Sequence, residues 1–200
     1  MQNIDDLKKE VSEYMTGAHY AADLISELGT AEYKIKEYRN AGKSIILDID
    51  DTLISLYPII EAYDDGWCAA SLNECMTRTD LPAIPETKVF LSNCLNDGFI
   101  IHILSSRRVM YLQNVEQLLE NAGVRYHYLH LRADDDKGTI QDFKTNARKS
   151  LTEQGFDIVM NVGDQQTDLD GGYSLYTCKV PNYWYKIYAD MIDEFFKKNN

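Results

Sequence analysis

The chain has little of what would staple, anchor or charge it positively. Its 200 residues include four cysteines, Cys68, Cys75, Cys94 and Cys178, which fit no zinc spacing. Cys68 and Cys75 could close a small loop disulfide in an oxidising compartment, but so few thiols in so long a chain read as reduced. No apolar run approaches the roughly 20 residues of a membrane helix, so no membrane span is expected. The opening MQNIDDLKKEVSEYM has neither an apolar signal core nor a small-residue cleavage site. It reads as a cytosolic chain or one already stripped of its signal. Basic residues are scarce as well: 20 Lys and Arg against 32 Asp and Glu give a formal net charge of −12. That balance argues against a nucleic-acid polymer as partner, because such binders displace counterions with Lys and Arg. Repeats, low-complexity tracts and Pro/Gly/Ser-rich linkers are also missing, so residues 1–200 read as a single domain with room for a small insertion. A monomer or homodimer is expected.

What is present is a rhythm of helices and strands. From Ile4 to about Tyr38 apolar residues fall at helical spacing, with a break near Thr16-Gly17, which makes an N-terminal helical segment of about 3–40. Apolar strands follow at Lys43–Leu47, Phe99–Leu104, Val124–Leu131 and Phe156–Val162, with a shorter one in YSLYTCKV. Helices are predicted at about Pro85–Leu95, Tyr111–Asn121 and Thr139–Gln154, with an amphipathic tail from about Ile187 to Lys198. Strands alternating with helices of this length imply right-handed crossovers and a mostly parallel sheet covered on both faces, an α/β three-layer sandwich. One stretch breaks the rhythm. Residues of about 57–84 lie between the first strand and the next helix, and read as a small cap insertion.

The first strand carries the sharpest signal. In KSIILDIDDTLIS, a short apolar run is followed at once by Asp48, Asp50 and Asp51. A strand buried on both faces cannot hold unpaired carboxylates, so these belong at its C-terminal edge, where open α/β sheets bind ligands. Carboxylates crowded there repel one another unless a cation joins them. Two further strand ends reach the same edge, Ser105-Ser106-Arg107-Arg108 and Gly163-Asp164-Gln165-Gln166-Thr167-Asp168, and the helix between them brings Lys144 and Arg148. Oxygen ligands around an open position suit Mg²⁺, with ligands at about 2.0 to 2.1 Å. A carboxylate aimed at phosphorus can attack in line, and a second one two residues on can protonate the leaving alcohol. Lys144 and Ser105 would hold phosphoryl oxygens. On position alone, Lys137 competes with Lys144. Asp51 reads as a solvated or capping residue, Asp134–Lys137 as a solvated loop, and His102 as a buried core histidine. His127 and His130, three apart on a strand, make a poor metal pair.

DIDDT, Asp48 to Thr52, resembles the first motif of the haloacid dehalogenase-like phosphohydrolases; ILSSR resembles the second, with Ser105, and GDQQTDL the fourth. FKTNARKSL, GFDIVMNVGDQQTDLDGG and VPN are similar to the acid phosphatase branch, subfamily IIIB, over about Tyr14 to Ile187. The resemblance implies a Rossmann-like sheet and an Mg²⁺-dependent acid phosphatase acting on small phosphomonoesters. It implies Asp48 as nucleophile and Asp50 as acid/base, with Thr52, Ser105, Ser106 and Lys144 toward phosphate. Asp48, the Asp50 carbonyl and Asp164 would bind the metal, supported by Asp168 and Arg107. LISLYP, after the first motif, departs from the polar residue usual in secreted members. Tyr57, Tyr63 and Trp67 in the insertion are the expected substrate-facing aromatics, and with them nucleoside monophosphates are the first substrate expected. The rivals are a phosphotransferase or sugar-phosphate phosphatase on the same site, and a storage or binding protein on the same scaffold.

Overall fold

The computed structural model describes residues 3–64 and 68–184. Trp67 and the predicted tail helix lie outside them. Two helices open the fold, α1 (Ile4–Met15) and α2 (Ala18–Ile35). The predicted break between them falls at Gly17, where a Cβ would sit 2.5 Å from the Glu13 carbonyl oxygen, so only glycine lets the chain turn there.

The remaining helices are α3 (Tyr57–Ala62), α4 (Ala69–Thr77), α5 (Pro85–Asn96), α6 (Leu112–Asn121), α7 (Ile140–Glu153) and the short α8 (Gln166–Leu169). Five parallel strands, β1 (Ser44–Leu47), β2 (Ile100–Arg108), β3 (Tyr128–Arg132), β4 (Ile158–Gly163) and β5 (Tyr176–Lys179), form one sheet in the order β3-β2-β1-β4-β5. The chain leaves β1 toward β2 on one side and returns to β4 on the other, which opens a crevice beyond the carboxyl ends of β1 and β4.

Each face of the sheet buries its own cluster. Ile45 and Leu47 join the main core with Leu24 and Leu28 of α2, Phe90 of α5 and Leu118 of α6. Ile46 faces the other way with Leu104, under Leu151 and Phe143 of α7. Alternating side-chain direction along β1 thus assigns one layer of helices to each face. Burying each such aliphatic side chain contributes about 1.5–3 kcal/mol.

Strand β2 and His127 differ from the sequence expectation, whereas for Asp51 and the Asp134–Lys137 loop the structure adds detail to it. Strand β2 runs on through Ser105, Ser106 and Arg107 instead of ending at Leu104, with its register against β3 shifting between Ser105 and Arg108. The buried Arg107 is accommodated there because Asp50 neutralises it. Asp51 is not solvated. It is buried at φ +51° and accepts the Leu56 N–H at 2.9 Å, so it caps the turn that carries the chain off β1. His127 precedes β3, where its Nδ1 accepts the Ile101 N–H. The Asp134–Lys137 loop is largely exposed, as expected, and Asp136 pairs with Arg132 while Asp134 accepts the Met110 N–H.

His102 is the buried, hydrogen-bonded core histidine expected, 3.1 Å from His130. All four cysteines are free thiols. Among the described residues no helix is long and apolar enough to cross a membrane.

Candidate active site

Asp48 is the first residue beyond β1, and its N–H still pairs with the Val162 carbonyl of β4. Asp164 is the first beyond β4, and α8 returns Asp168 to the same point. Oxygens of Asp48, Asp164 and Asp168 all lie within 4.8 Å of one another, and the three residues are buried. Into this cluster α7 sends Lys144, 3 % exposed, which donates to Asp48 Oδ1 at 2.7 Å and to Asp168 Oδ1. Lys137, the other lysine of this part of the sequence, is on the exposed surface.

Asp168 packs so closely on Gly163 that a Cβ there would collide with its carboxylate. Its backbone is pinned as well. Arg148, fully buried, donates to the carbonyls of Asp168, Asp170 and Gly172, and the Asn161 side chain donates to Asp168 O.

Asp164 is held from three sides. Thr52 Oγ1 donates to its Oδ1 at 3.2 Å, and Gln165 and Asn182 donate to its Oδ2 at 2.6 and 2.7 Å. Thr52, expected among the phosphate binders, is therefore a fully buried support for Asp164. Asn182 was not among the expected site residues, although it follows β5 and obeys the same strand-end rule that singles out Asp48 and Asp164.

Asp50 turns away from the triad to Arg107, whose Nη2 donates to Oδ1 at 2.6 Å while Nε lies 3.2 and 3.1 Å from the two oxygens. The arginine is fully buried and fixes the carboxylate's orientation with a forked contact a lysine could not reproduce. Ser106 lines the cleft; Ser105 is buried, its Oγ accepting the Arg107 N–H at 3.3 Å and keeping its own proton to donate.

The electrostatics follow from crowding. Burial, with Asp168 and Asp164 nearby, pushes the Asp48 carboxyl well up, against the pull of Lys144. Burial, then Asp168 and Asp51, push Asp164 up to about 7, against its bonds from Gln165 and Asn182. Burial opposes the charge on Lys144, but Asp48 and Asp168 outweigh it and raise its pKa. Two of the three buried carboxylates, Asp48 and Asp168, pair with the one buried lysine, so full ionisation would leave the cluster two negative charges in excess. Hard oxygen donors with that excess fit one divalent cation. Phosphatases of the haloacid dehalogenase type generally use such an ion.

The cleft over these groups has a volume of about 590 Å³. Tyr57 and Tyr63 do not line it. Tyr57 stacks on Trp184 with centroids 5.3 Å apart and donates to Glu61, and Tyr63 donates to Glu74 at 2.9 Å. Tyr57 thus packs on Trp184 and Tyr63 binds within the insertion, and neither ring lines the cleft that they were expected to face.

The sequence pattern of the HAD superfamily, subfamily IIIB (Acid phosphatase), matches residues 2–188. The chain belongs to this family. Membership places it among the phosphoric monoester hydrolases. It is 30% identical over 190 residues to Acid phosphatase 1 of Solanum lycopersicum, covering 88% of this chain and 73% of that protein. It is also 31% identical over 148 residues to Vegetative storage protein 2 of Arabidopsis thaliana, covering 71% and 56%. The fold is similar to that of the Class C acid phosphatase from Bacillus anthracis, with a TM-score of 0.68 at 22% identity over 84% of this chain and 72% of that one.

Proposed function

We propose that this protein is a magnesium-dependent acid phosphatase that hydrolyses small organic phosphomonoesters through a phosphoaspartate on Asp48. The observation that carries this reading is the convergence of Asp48, Asp164, Asp168 and Lys144 at the carboxyl ends of β1 and β4, with Asp50 clamped beside them. Asp48 attacks phosphorus, and Asp50, oriented by Arg107 and carrying a proton in the reactive form, gives that proton to the departing alcohol. Asp50 then takes a proton from the water that cleaves the phosphoaspartate, which restores both carboxyl groups. Lys144, Ser105 and Ser106 receive phosphoryl oxygens and offset the charge that develops there. Asp48, the Asp50 carbonyl and Asp164, with Asp168 near, would hold Mg²⁺, which when bound would supply positive charge to the phosphoryl group. Asn182, Thr52 and Gln165 keep the Asp164 carboxylate aimed.

Within the insertion, α3 and α4 form the cap over this floor. Nucleoside monophosphates stay on the substrate panel through the family likeness alone.

The test is release of inorganic phosphate from nucleotides, sugar phosphates and simple esters at mildly acidic and neutral pH, with Mg²⁺ and with EDTA. Release that EDTA abolishes is expected. Relatives named as storage proteins favour one second reading, a scaffold that binds without turnover. Folded, magnesium-bound protein that releases no phosphate would establish it. Phosphate appearing on an added alcohol would instead mark a phosphotransferase.

A further inference from the structure

The cleft has two unlike walls. One is the polar floor just described; the other is aliphatic. Leu72, Cys75 and Met76 recur at the three- and four-residue spacing that puts side chains on one face of α4, and all three line the cleft. Leu56 joins them from the start of the insertion, and Ile140 from the first turn of α7. Leu72 and Ile140 are 49% and 42% exposed, large apolar surfaces to leave open beside a charged site. The Cys75 thiol adds no charge, because burial and then the nearby Asp50 push it up to about 12. Among the described residues no aromatic ring lines the cleft, and its one lining cation, Lys144, is shared by Asp48 and Asp168.

We infer that this wall is a leaving-group subsite for phosphomonoesters of compact apolar alcohols, phenyl and short alkyl phosphates, in preference to sugar phosphates and nucleotides. The inference rests on the phosphatase reading and narrows it. With the phosphoryl group at Asp48, the organic part of the ester faces Leu72, Met76 and Ile140. A sugar placed against this wall gives up hydroxyl–water hydrogen bonds, and the side chains of Leu72, Met76 and Ile140 offer no polar partner in exchange. Among the described residues a nucleobase finds no ring to stack on. An alkyl or phenyl group gains from burial against the same side chains.

The test is kcat/KM in Mg²⁺ for phenyl and hexyl phosphate against glucose 6-phosphate and 5′-AMP. A lead of at least about tenfold for the apolar esters is expected, and an equal or reversed ranking overturns the subsite. Leu72→Ser should lower the hexyl ester's kcat/KM by about fivefold and shrink its lead; an equal loss on every ester overturns it too. A third measurement needs no turnover. Calorimetry of hexylphosphonate against methylphosphonate should show at least about tenfold tighter binding of the longer chain. If that order holds while no ester is hydrolysed, the subsite stands and the phosphatase reading fails. If esters are hydrolysed without that order, the phosphatase reading stands and the subsite fails.

Discussion

The floor of the cleft and the wall above it obey opposite rules. On the floor each functional side chain is held by another: Lys144 by two carboxylates, Asp164 by Thr52, Gln165 and Asn182, and Asp50 by Arg107. On the wall, Leu72 and Met76 stand on a helix of nine residues and offer apolar surface to the cleft, with Cys75 buried beneath them. Reaction chemistry needs atoms fixed to fractions of an ångström, which the sheet edge and its hydrogen bonds supply. Leaving-group choice needs only shape and polarity, which a short helix can change without disturbing the floor.

Breaking the floor should therefore cost far more than changing the insertion. Asp48→Asn removes the nucleophile and should lower kcat by roughly four orders of magnitude, measured as phosphate release by folded protein. Arg107→Ala leaves Asp50 without its clamp, and kcat should fall by about 10²–10³-fold in the same assay. Asn182→Ala removes one of the bonds that aim Asp164, so Mg²⁺ affinity measured by calorimetry should weaken about tenfold or more.

The crowded floor also predicts how metal-free protein responds to pH. Folded Asp48 and Asp164 keep their protons more readily than the unfolded chain does, so the folded state binds more protons between the unfolded carboxylate range and about 7. Stability in EDTA should consequently fall as pH rises from about 4 to 7. Thermal melts should then show the largest stabilisation by Mg²⁺ at the upper end of that range. Smallest of all, Tyr63→Phe loses only a bond to Glu74 and should leave kcat/KM within about twofold of the parent. A large loss there would bring the insertion's aromatics back into the reaction.

The same contrast explains what could be read from the sequence. Asp48 and Asp164 were legible because a buried strand forces its following carboxylates to the sheet edge. Asn182 obeys that rule too, but an amide carries no charge to draw attention to it. The continuation of β2 through Arg107 was hidden, because a buried arginine in a strand is licensed only by Asp50, 57 residues earlier in the chain. The insertion was least legible. Its aromatics suggested a stacking surface, yet which face of a six-residue helix such as α3 meets the cleft is set by tertiary packing, here Tyr57 against Trp184. The spacing of Leu72, Cys75 and Met76 was present in the sequence, but three apolar positions on nine residues make too weak a period to read as a face.

The central claim, covalent catalysis by Asp48, is tested most directly by mixing enzyme, Mg²⁺ and a hydrolysable ester, quenching in acid, and mapping the protein by mass spectrometry. With an ester whose leaving group departs without protonation, such as a nitrophenyl phosphate, Asp50→Asn slows loss of the intermediate more than its formation and raises its level. A phosphoryl group on the peptide containing Asp48, absent from Asp48→Asn, is the predicted result. Phosphate release at the normal rate from an enzyme that never carries a phosphoryl group at Asp48 would contradict it.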